Sequence, residues 1–305
     1  MNFLQLNQKF PNDKAVVDHF IAIRYSGEPC CNHCGSTKVY HNAVAYKKFQ
    51  CNDCKNSFSV FKDTIFENSS TDLVKWMYAI HLFLNGKKGI SGLQLMREIG
   101  VTYKTAWRML RQIRLAMGNQ ETKQVFEAIV EIDETYVGGK PRKMNKVEDN
   151  KNKENGGTPN KRGRGTKKTP VVAVVERSTN TVHAKVSLPN KEGKKLSGKQ
   201  LFKILAEVTK EGTTVMTDEF QSYNLLDRTD KYIRLKIDHS KMYSDGFIHT
   251  NTVESFWATL KRGVYGIYHQ ISPKYLQNYV DEFCFRHNNR SNSNAFDLLL
   301  KRAIA

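Results

Sequence analysis

The stretch His249-Thr250-Asn251-Thr252-Val253-Glu254-Ser255-Phe256-Trp257-Ala258-Thr259-Leu260-Lys261-Arg262 organises the reading of this chain. As a helix it places Glu254, Trp257, Ala258 and Lys261 at i, i+3, i+4 and i+7, on one face. A carboxylate, an aromatic and a cation one turn apart do not make an ordinary core-packing face. Thr250 or Thr252 stands where a cap is expected. Two other acids close strand-like runs: Asp133 in Ala128-Ile129-Val130-Glu131-Ile132-Asp133, and Asp218 in Thr213-Thr214-Val215-Met216-Thr217-Asp218. Two strand-end aspartates and a helical glutamate predict a carboxylate cluster that holds divalent metal. Three such groups repel one another unless cations neutralise them. Mg2+, a hard ion that keeps waters, suits oxygen ligands and a phosphate substrate. The competing reading makes Asp133 and Asp218 turn formers and Glu254 a helix-start acid favoured by the dipole.

Working outward, the order is a strand with Asp133, hairpin strands Val171 to Val175 and Thr181 to Ser187, and a helix through Leu201, Ile204, Leu205 and Val208. The strand ending at Asp218, a short helix at Tyr223 to Leu226, a strand Tyr232 to Ile237 and the Glu254 helix follow. A closing amphipathic helix carries Leu276, Tyr279, Val280 and Phe283. This order predicts a mixed sheet flanked by helices. Residues 140 to 168, with 11 Lys/Arg, 3 Asp/Glu and almost no apolar side chains, read as a basic flexible insertion. Strand periodicity alone does not choose between Glu131 and Asp133, which share a strand face, nor exclude Glu134 and Glu219. His239 and His249 read as exposed loop histidines, with orientation of a phosphate or water as the alternative. Cys284, on an apolar helix face, reads as core packing.

Toward the N-terminus, Cys31-Asn32-His33-Cys34 and Cys51-Asn52-Asp53-Cys54 form two C-x2-C pairs separated by sixteen residues. Two such knuckles complete a tetrahedral four-thiolate Zn2+ site, closed and therefore structural. Cys30 is an alternative to Cys31, but only Cys31 gives the two-residue spacing. Residues 70 to 118 read as helical. Ser91 caps a short helix that Gly100 ends, and Thr102 starts the next, with Ala106, Leu110, Ile113 and Met117 as its apolar stripe. Lys104, Arg108 and Arg111 form a separate basic stripe. Helix, tight turn and basic helix is the helix-turn-helix pattern, and an ordinary bundle with solvated basic residues is its alternative.

The net charge is +18 over 305 residues, of which residues 140 to 168 carry +8 and the rest +10. Such a balance points to a polyanionic partner, nucleic acid first. No run of eighteen apolar residues and no signal pattern is present, so the reading is a soluble, non-exported protein without membrane association. The clustered cysteines argue against a secreted disulfide framework.

The blocks Ile132-Asp133-Glu134-Thr135-Tyr136-Val137-Gly138-Gly139, Thr217-Asp218 with Tyr223, and His249 to Trp257 through Leu260-Lys261-Arg262-Gly263 resemble bacterial insertion-sequence transposases of the DDE type with an N-terminal zinc ribbon. Glu282-Phe283-Cys284-Phe285-Arg286 and Asn288 resemble that family's closing helix. The resemblance spans roughly residues 30 to 290. It implies an RNase H-like α/β catalytic fold and two catalytic Mg2+ or Mn2+ ions. It implies cut-and-join chemistry at terminal inverted repeats, with the freed 3′-hydroxyl attacking target DNA. Asp133, Asp218 and Glu254 would be the metal-binding triad. Lys261 would meet DNA phosphate near the cut, and Asn251 would serve the same site. The expected division is an N-terminal segment and zinc ribbon at 1–62, a helix-turn-helix domain at 63–120, and the catalytic domain at 121–305. Lys104, Arg108, Arg111, Lys261 and Arg262 are the expected DNA contacts. A homodimer or larger synaptic assembly in the bacterial cytoplasm, on the nucleoid, is expected. The competing functions are a DNA-binding regulator with an inactive catalytic domain and a Mg2+-dependent nuclease without joining.

Overall fold

A computed structural model describes residues 1–42, 47–118, 125–138, 168–189, 196–237 and 249–304. The basic insertion, except Lys168, and His239 lie outside the described residues. The chain forms two compact units, Met1–Glu121 with Asn289–Ala305, and Thr122–Asn288. Residues 1–62 and 63–120 fall together in the first unit, and residues 289–305 join them.

In the first unit, α1 (Phe3–Lys9) and α2 (Asp13–Tyr25) precede a small antiparallel sheet of β1 (Val39–His41), β2 (Lys48–Cys51) and β3 (Ser57–Ser59). Then come α3 (Leu73–Asn85), α4 (Gly92–Ile99) and α5 (Tyr103–Gly118). Asn2 and Asn12 accept backbone N–H groups at the starts of α1 and α2, satisfying donors the helices leave open. Phe20, Phe61, Phe66 and Trp76 pack ring against ring, with the Trp76 indole N–H donating to Ser69 Oγ at 2.9 Å.

The Ser91 hydroxyl caps α4 by accepting from Gln94 N at 3.1 Å. Gly100 ends it at φ 61, a left-handed conformation that glycine takes without a Cβ penalty. Ala106, Leu110, Ile113 and Met117 are buried along α5, the stripe their spacing predicts. The basic stripe is divided. Lys104 and Arg111 are exposed, but Arg108 is half-buried and donates to the Glu67 carbonyl at 2.9 Å. A loop carbonyl in the packed unit needs a donor, and Arg108 supplies it. The terminal helix Ala295–Ile304 belongs here: Ile65 N donates to Ala303 O, and Arg302 donates to Met117 O at the end of α5. A cation on the last carbonyls of a helix is a favoured stop.

In the second unit, β4 (Ile129–Val137), β5 (Thr169–Glu176), β6 (Thr181–Val186), β7 (Thr214–Thr217) and β8 (Ile233–Lys236) form a mixed sheet ordered β6-β5-β4-β7-β8. β4 pairs antiparallel with β5 and parallel with β7. Helices cover both faces. On one, α6 (Gly198–Ala206) and a 3-10 segment (Gln221–Arg228) pack against Val130, Ile132, Val172 and Val174. On the other, α7 (Asn251–Gly263) and α8 (Leu276–Asn288) pack against Val137, Val171, Ala173 and Val175. Strand alternation therefore turns Glu131 and Asp133 toward α7 and Glu134 toward the opposite face.

Side chains of α8 bind the free edge of β6. Asn288 accepts from Val182 N at 2.8 Å and donates to Val182 O at 2.9 Å, while Gln277 accepts from Val186 N at 2.8 Å. Covering the edge in this way removes a template for strand addition. Cys284 is buried in the α8 core, as expected, and burial pushes its thiol up.

Candidate active site

The parallel pairing of β4 with β7 joins the two segments that lead to the aspartates. Ile129 pairs with Thr214, Val130 with Val215 and Glu131 with Met216. Asp133 lies two residues further along β4 and Asp218 just past the end of β7, near enough for the Asp218 charge to act on the Asp133 carboxyl. Asp218 Oδ1 is held by the Phe220 N–H at 3.0 Å, and its carbonyl accepts from Arg234 at 3.2 Å. Asp133 Oδ2 accepts from the Trp257 indole N–H at 2.9 Å. Burial pushes the Asp133 carboxyl up to about 7, the negative charges of Glu134 and Asp218 add to it, and the indole N–H opposes it. On the other face of β4, the buried Tyr223 hydroxyl donates to Glu134 Oε2 at 3.0 Å. This corner of the fold concentrates carboxylate in a poorly hydrated place, which is the condition a bound cation relieves.

Trp257 sits one turn after Glu254 and one turn before Lys261. Its contact with Asp133 brings that flank of α7 to the aspartates. Glu254 itself is exposed and accepts from the Thr250 hydroxyl at 3.3 Å. Lys261 and Arg262 are exposed on α7, with Arg262 Nε donating to Ala258 O. Asn251 is exposed at the helix start. Asp133, Asp218 and Glu254 do not close into one tight ligand set. Among the described residues, the group of three or more His, Cys, Asp or Glu side chains whose ligand atoms lie within 4.8 Å of one another is the cysteine quartet.

Sequence reasoning missed how α7 is capped. Thr250 makes no side-chain cap bond. Glu131, fully buried on β4, accepts instead from Thr252 N at 2.9 Å, Val253 N at 3.0 Å and Thr252 Oγ1 at 2.8 Å. Arg177, after β5, donates to Glu131 Oε1 at 2.6 Å and to the His249 carbonyl at 2.6 Å. His249 is thus not a free loop histidine. Its Nδ1 stands 2.8 Å from an Arg177 guanidinium nitrogen and 3.3 Å from Glu131 Oε1. The one visible signal was an acid inside the apolar run Ile129-Val130-Glu131-Ile132, which is rarely buried without a partner. Arg177→Met should strand the Glu131 charge and destabilise the unit by roughly 3–5 kcal/mol, read by urea unfolding. A loss under about 1 kcal/mol would mean that the helix N–H groups suffice to hold Glu131.

The four expected zinc ligands do meet. Cys31 and Cys54 sulfurs stand 3.7 Å apart and those of Cys34 and Cys51 3.6 Å, near the edge of about 3.8 Å that a tetrahedron with Zn–S bonds of about 2.3 Å requires. The N–H groups of His33 and Cys54 point at Cys31 and Cys51 Sγ. The Cys54 N–H, against burial and aided by that of Asp53, holds the Cys51 thiol down to about 6. These are groups that favour thiolate, the form that binds metal. Cys30 stands outside the quartet.

Comparison with known proteins finds two domain families along the chain. Residues 126–288 match the family described as ISXO2-like transposase domain, and residues 11–57 match the transposase zinc-ribbon domain. The chain is 30% identical over 267 residues to an uncharacterized protein in transposable element ISH50 of Halobacterium salinarum, covering 84% of this chain and 86% of that one. It is 29% identical over 89 residues to an uncharacterized transposase-like protein of Haemophilus influenzae, covering 29% of this chain and 71% of that one. No helix among the described residues is long and apolar enough to cross a membrane.

Proposed function

The chain belongs to the ISXO2-like transposase family and carries its zinc ribbon, and from that we propose that the second unit is an RNase H-like nuclease that cuts element ends and joins them to target DNA. Asp133, Asp218 and Glu254 are the ligands for two Mg2+ or Mn2+ ions in this reading. The observation that supports it is the buried Asp133 carboxyl, raised to about 7 with the charges of Glu134 and Asp218 adding to the effect of burial. Hard oxygen donors that repel one another fit such ions. Bound there, the ions would supply Lewis acidity to the attacking and leaving oxygens of the phosphodiester.

The protein's own groups set the geometry. The Trp257 N–H fixes Asp133 Oδ2, the Phe220 N–H fixes Asp218 Oδ1, and the Thr250 hydroxyl holds Glu254. Glu254 is exposed on α7 and turns in to complete the ligand set. Lys261, two turns along the same flank, grips a phosphate beside the cut, with Arg262 and Asn251 at the margins. In the first unit, α4, Gly100 and α5 act as a helix-turn-helix that presents Lys104 and Arg111 to double-stranded DNA. Arg108 supports the loop at Glu67 and is withdrawn from that role. The ends are brought together in a homodimer or larger assembly.

The test incubates purified protein and Mg2+ with labelled inverted-repeat ends from the DNA flanking its gene, plus a target plasmid. Joined product supports the reading, cutting alone reduces it to a nuclease, and binding alone makes the protein a regulator. Asp218→Asn and Glu254→Gln should each lower cleavage about 10³-fold, since several kcal/mol of transition-state stabilisation go with the metal. End binding should persist. Lys261→Ala should weaken joining and flatten the salt dependence of DNA binding.

A further inference from the structure

The geometry points to Glu131 as the positioning residue that sets Glu254 against Asp133, by fastening the start of α7 to the strand that bears Asp133. The inference rests on the metal-site reading of those two acids. A helix start is ordinarily capped by its own N-terminal residue. Here Thr250 occupies that position without making the bond, and its hydroxyl is turned to Glu254. Capping passes to a carboxylate 121 residues away in sequence, two residues before Asp133 on the same strand face.

Two points join α7 to β4. Glu131 takes the N–H groups of Thr252 and Val253, and Asp133 takes the indole N–H of Trp257. Glu254 lies between these attachments. A helix held at two points along one strand can neither slide by a residue nor rotate about its axis without breaking one of them. Glu254 therefore starts from a set distance and angle to Asp133, which is how a supporting residue orders a metal ligand it does not itself replace. An apolar residue at 131 could pack equally well against the helix and would need no Arg177. It would leave α7 free to shift. Arg177 completes the fastening, since it grips both Glu131 and the carbonyl of His249, two residues before α7 begins.

The test uses the zinc-loaded full chain with Mn2+ as the probe. Glu131→Ala, Glu131→Gln and, as reference, Asp133→Asn are compared by Mn2+ titration and by hydrogen exchange of the Thr252 and Val253 amides in the metal-free state. Expected in Glu131→Ala are lost protection at those two amides and Mn2+ affinity weakened about 10- to 100-fold, with cleavage largely restored at saturating Mn2+. Glu131→Gln keeps one acceptor oxygen and should fall between Glu131→Ala and the wild type. Should the alanine variant fail to fold, the glutamine variant carries the same comparison. Wild-type Mn2+ affinity in a folded Glu131 variant, beside a lost site in Asp133→Asn, overturns the positioning role alone. Wild-type affinity in Asp133→Asn as well overturns the metal-site reading and this inference with it.

Discussion

Asp133→Asn should stabilise the metal-free protein at pH 8 and, in the same molecule, reduce Mg2+-dependent strand cleavage by about 10³-fold or more. The two effects have one cause. Burial, with Glu134 and Asp218 adding to it, holds the Asp133 carboxyl at about 7, against an ordinary 3.8. Between those values the folded chain keeps a proton that the unfolded chain has released. This carboxyl's contribution to stability is therefore greatest below about 4, falls as pH rises toward 7, and levels off above it. The full difference is on the order of 4 kcal/mol as an upper bound, or up to about 16 °C in melting temperature for a domain of this size. Asparagine carries no charge, so its melting temperature should lack this contribution to the pH slope. Wild-type protein at pH 8 should recover stability when Mg2+ is added, and the variant should not. Thermal melts at pH 5 and pH 8, with and without Mg2+, measure all of this. A variant that keeps the wild-type pH slope, or that cuts DNA normally, would remove Asp133 from the site.

Loss of zinc should have an equally large effect on the first unit. Structural Zn2+ in small four-ligand domains binds with roughly 10–16 kcal/mol of apparent free energy at neutral pH, and that binding energy is folding energy. The quartet ties β1 to β3 together, and the sheet is too small to persist without it. One zinc per chain is expected, and Cys51→Ser should lose it. The sheet is linked onward to α2, since Arg24 donates to the carbonyls of Val60 and Lys62, and Phe49 meets Tyr25 edge to face. Unfolding should thus spread from residues 31–59 into α2, seen as hydrogen exchange there. Cys30→Ser should keep its zinc, because Cys30 stands outside the quartet. Full zinc content in Cys51→Ser, or its loss in Cys30→Ser, would mean that the ligand set is wrong.

How much of this could be read beforehand depends on how local each cause is. The zinc ligands were legible because a tetrahedral ion dictates the spacing within each C-x2-C knuckle, whatever surrounds it. The strand before Asp218 and the α5 stripe were legible because periodicity reports which face of an element is buried, whereas Asp133, read as closing its strand, lies in the middle of β4, which runs on to Val137. Periodicity does not report what covers that face. Arg108 looked like one member of a basic stripe, yet a carbonyl 41 residues earlier claims it. The terminal helix looked like part of the second unit, yet Arg302 and Ala303 bind the first.

From the chain alone came the four cysteines, the mixed sheet between helices, and the candidate acids, the last selected by resemblance. Tertiary structure alone decided that Glu131 caps α7, that Arg177 neutralises it, and that Trp257 reaches Asp133 while Glu254 stays exposed. The physical reason is distance along the chain. Ligand spacing and amphipathic period act over a few residues, whereas a buried charge accepts whichever partner the fold delivers, here one 46 residues away and another 121.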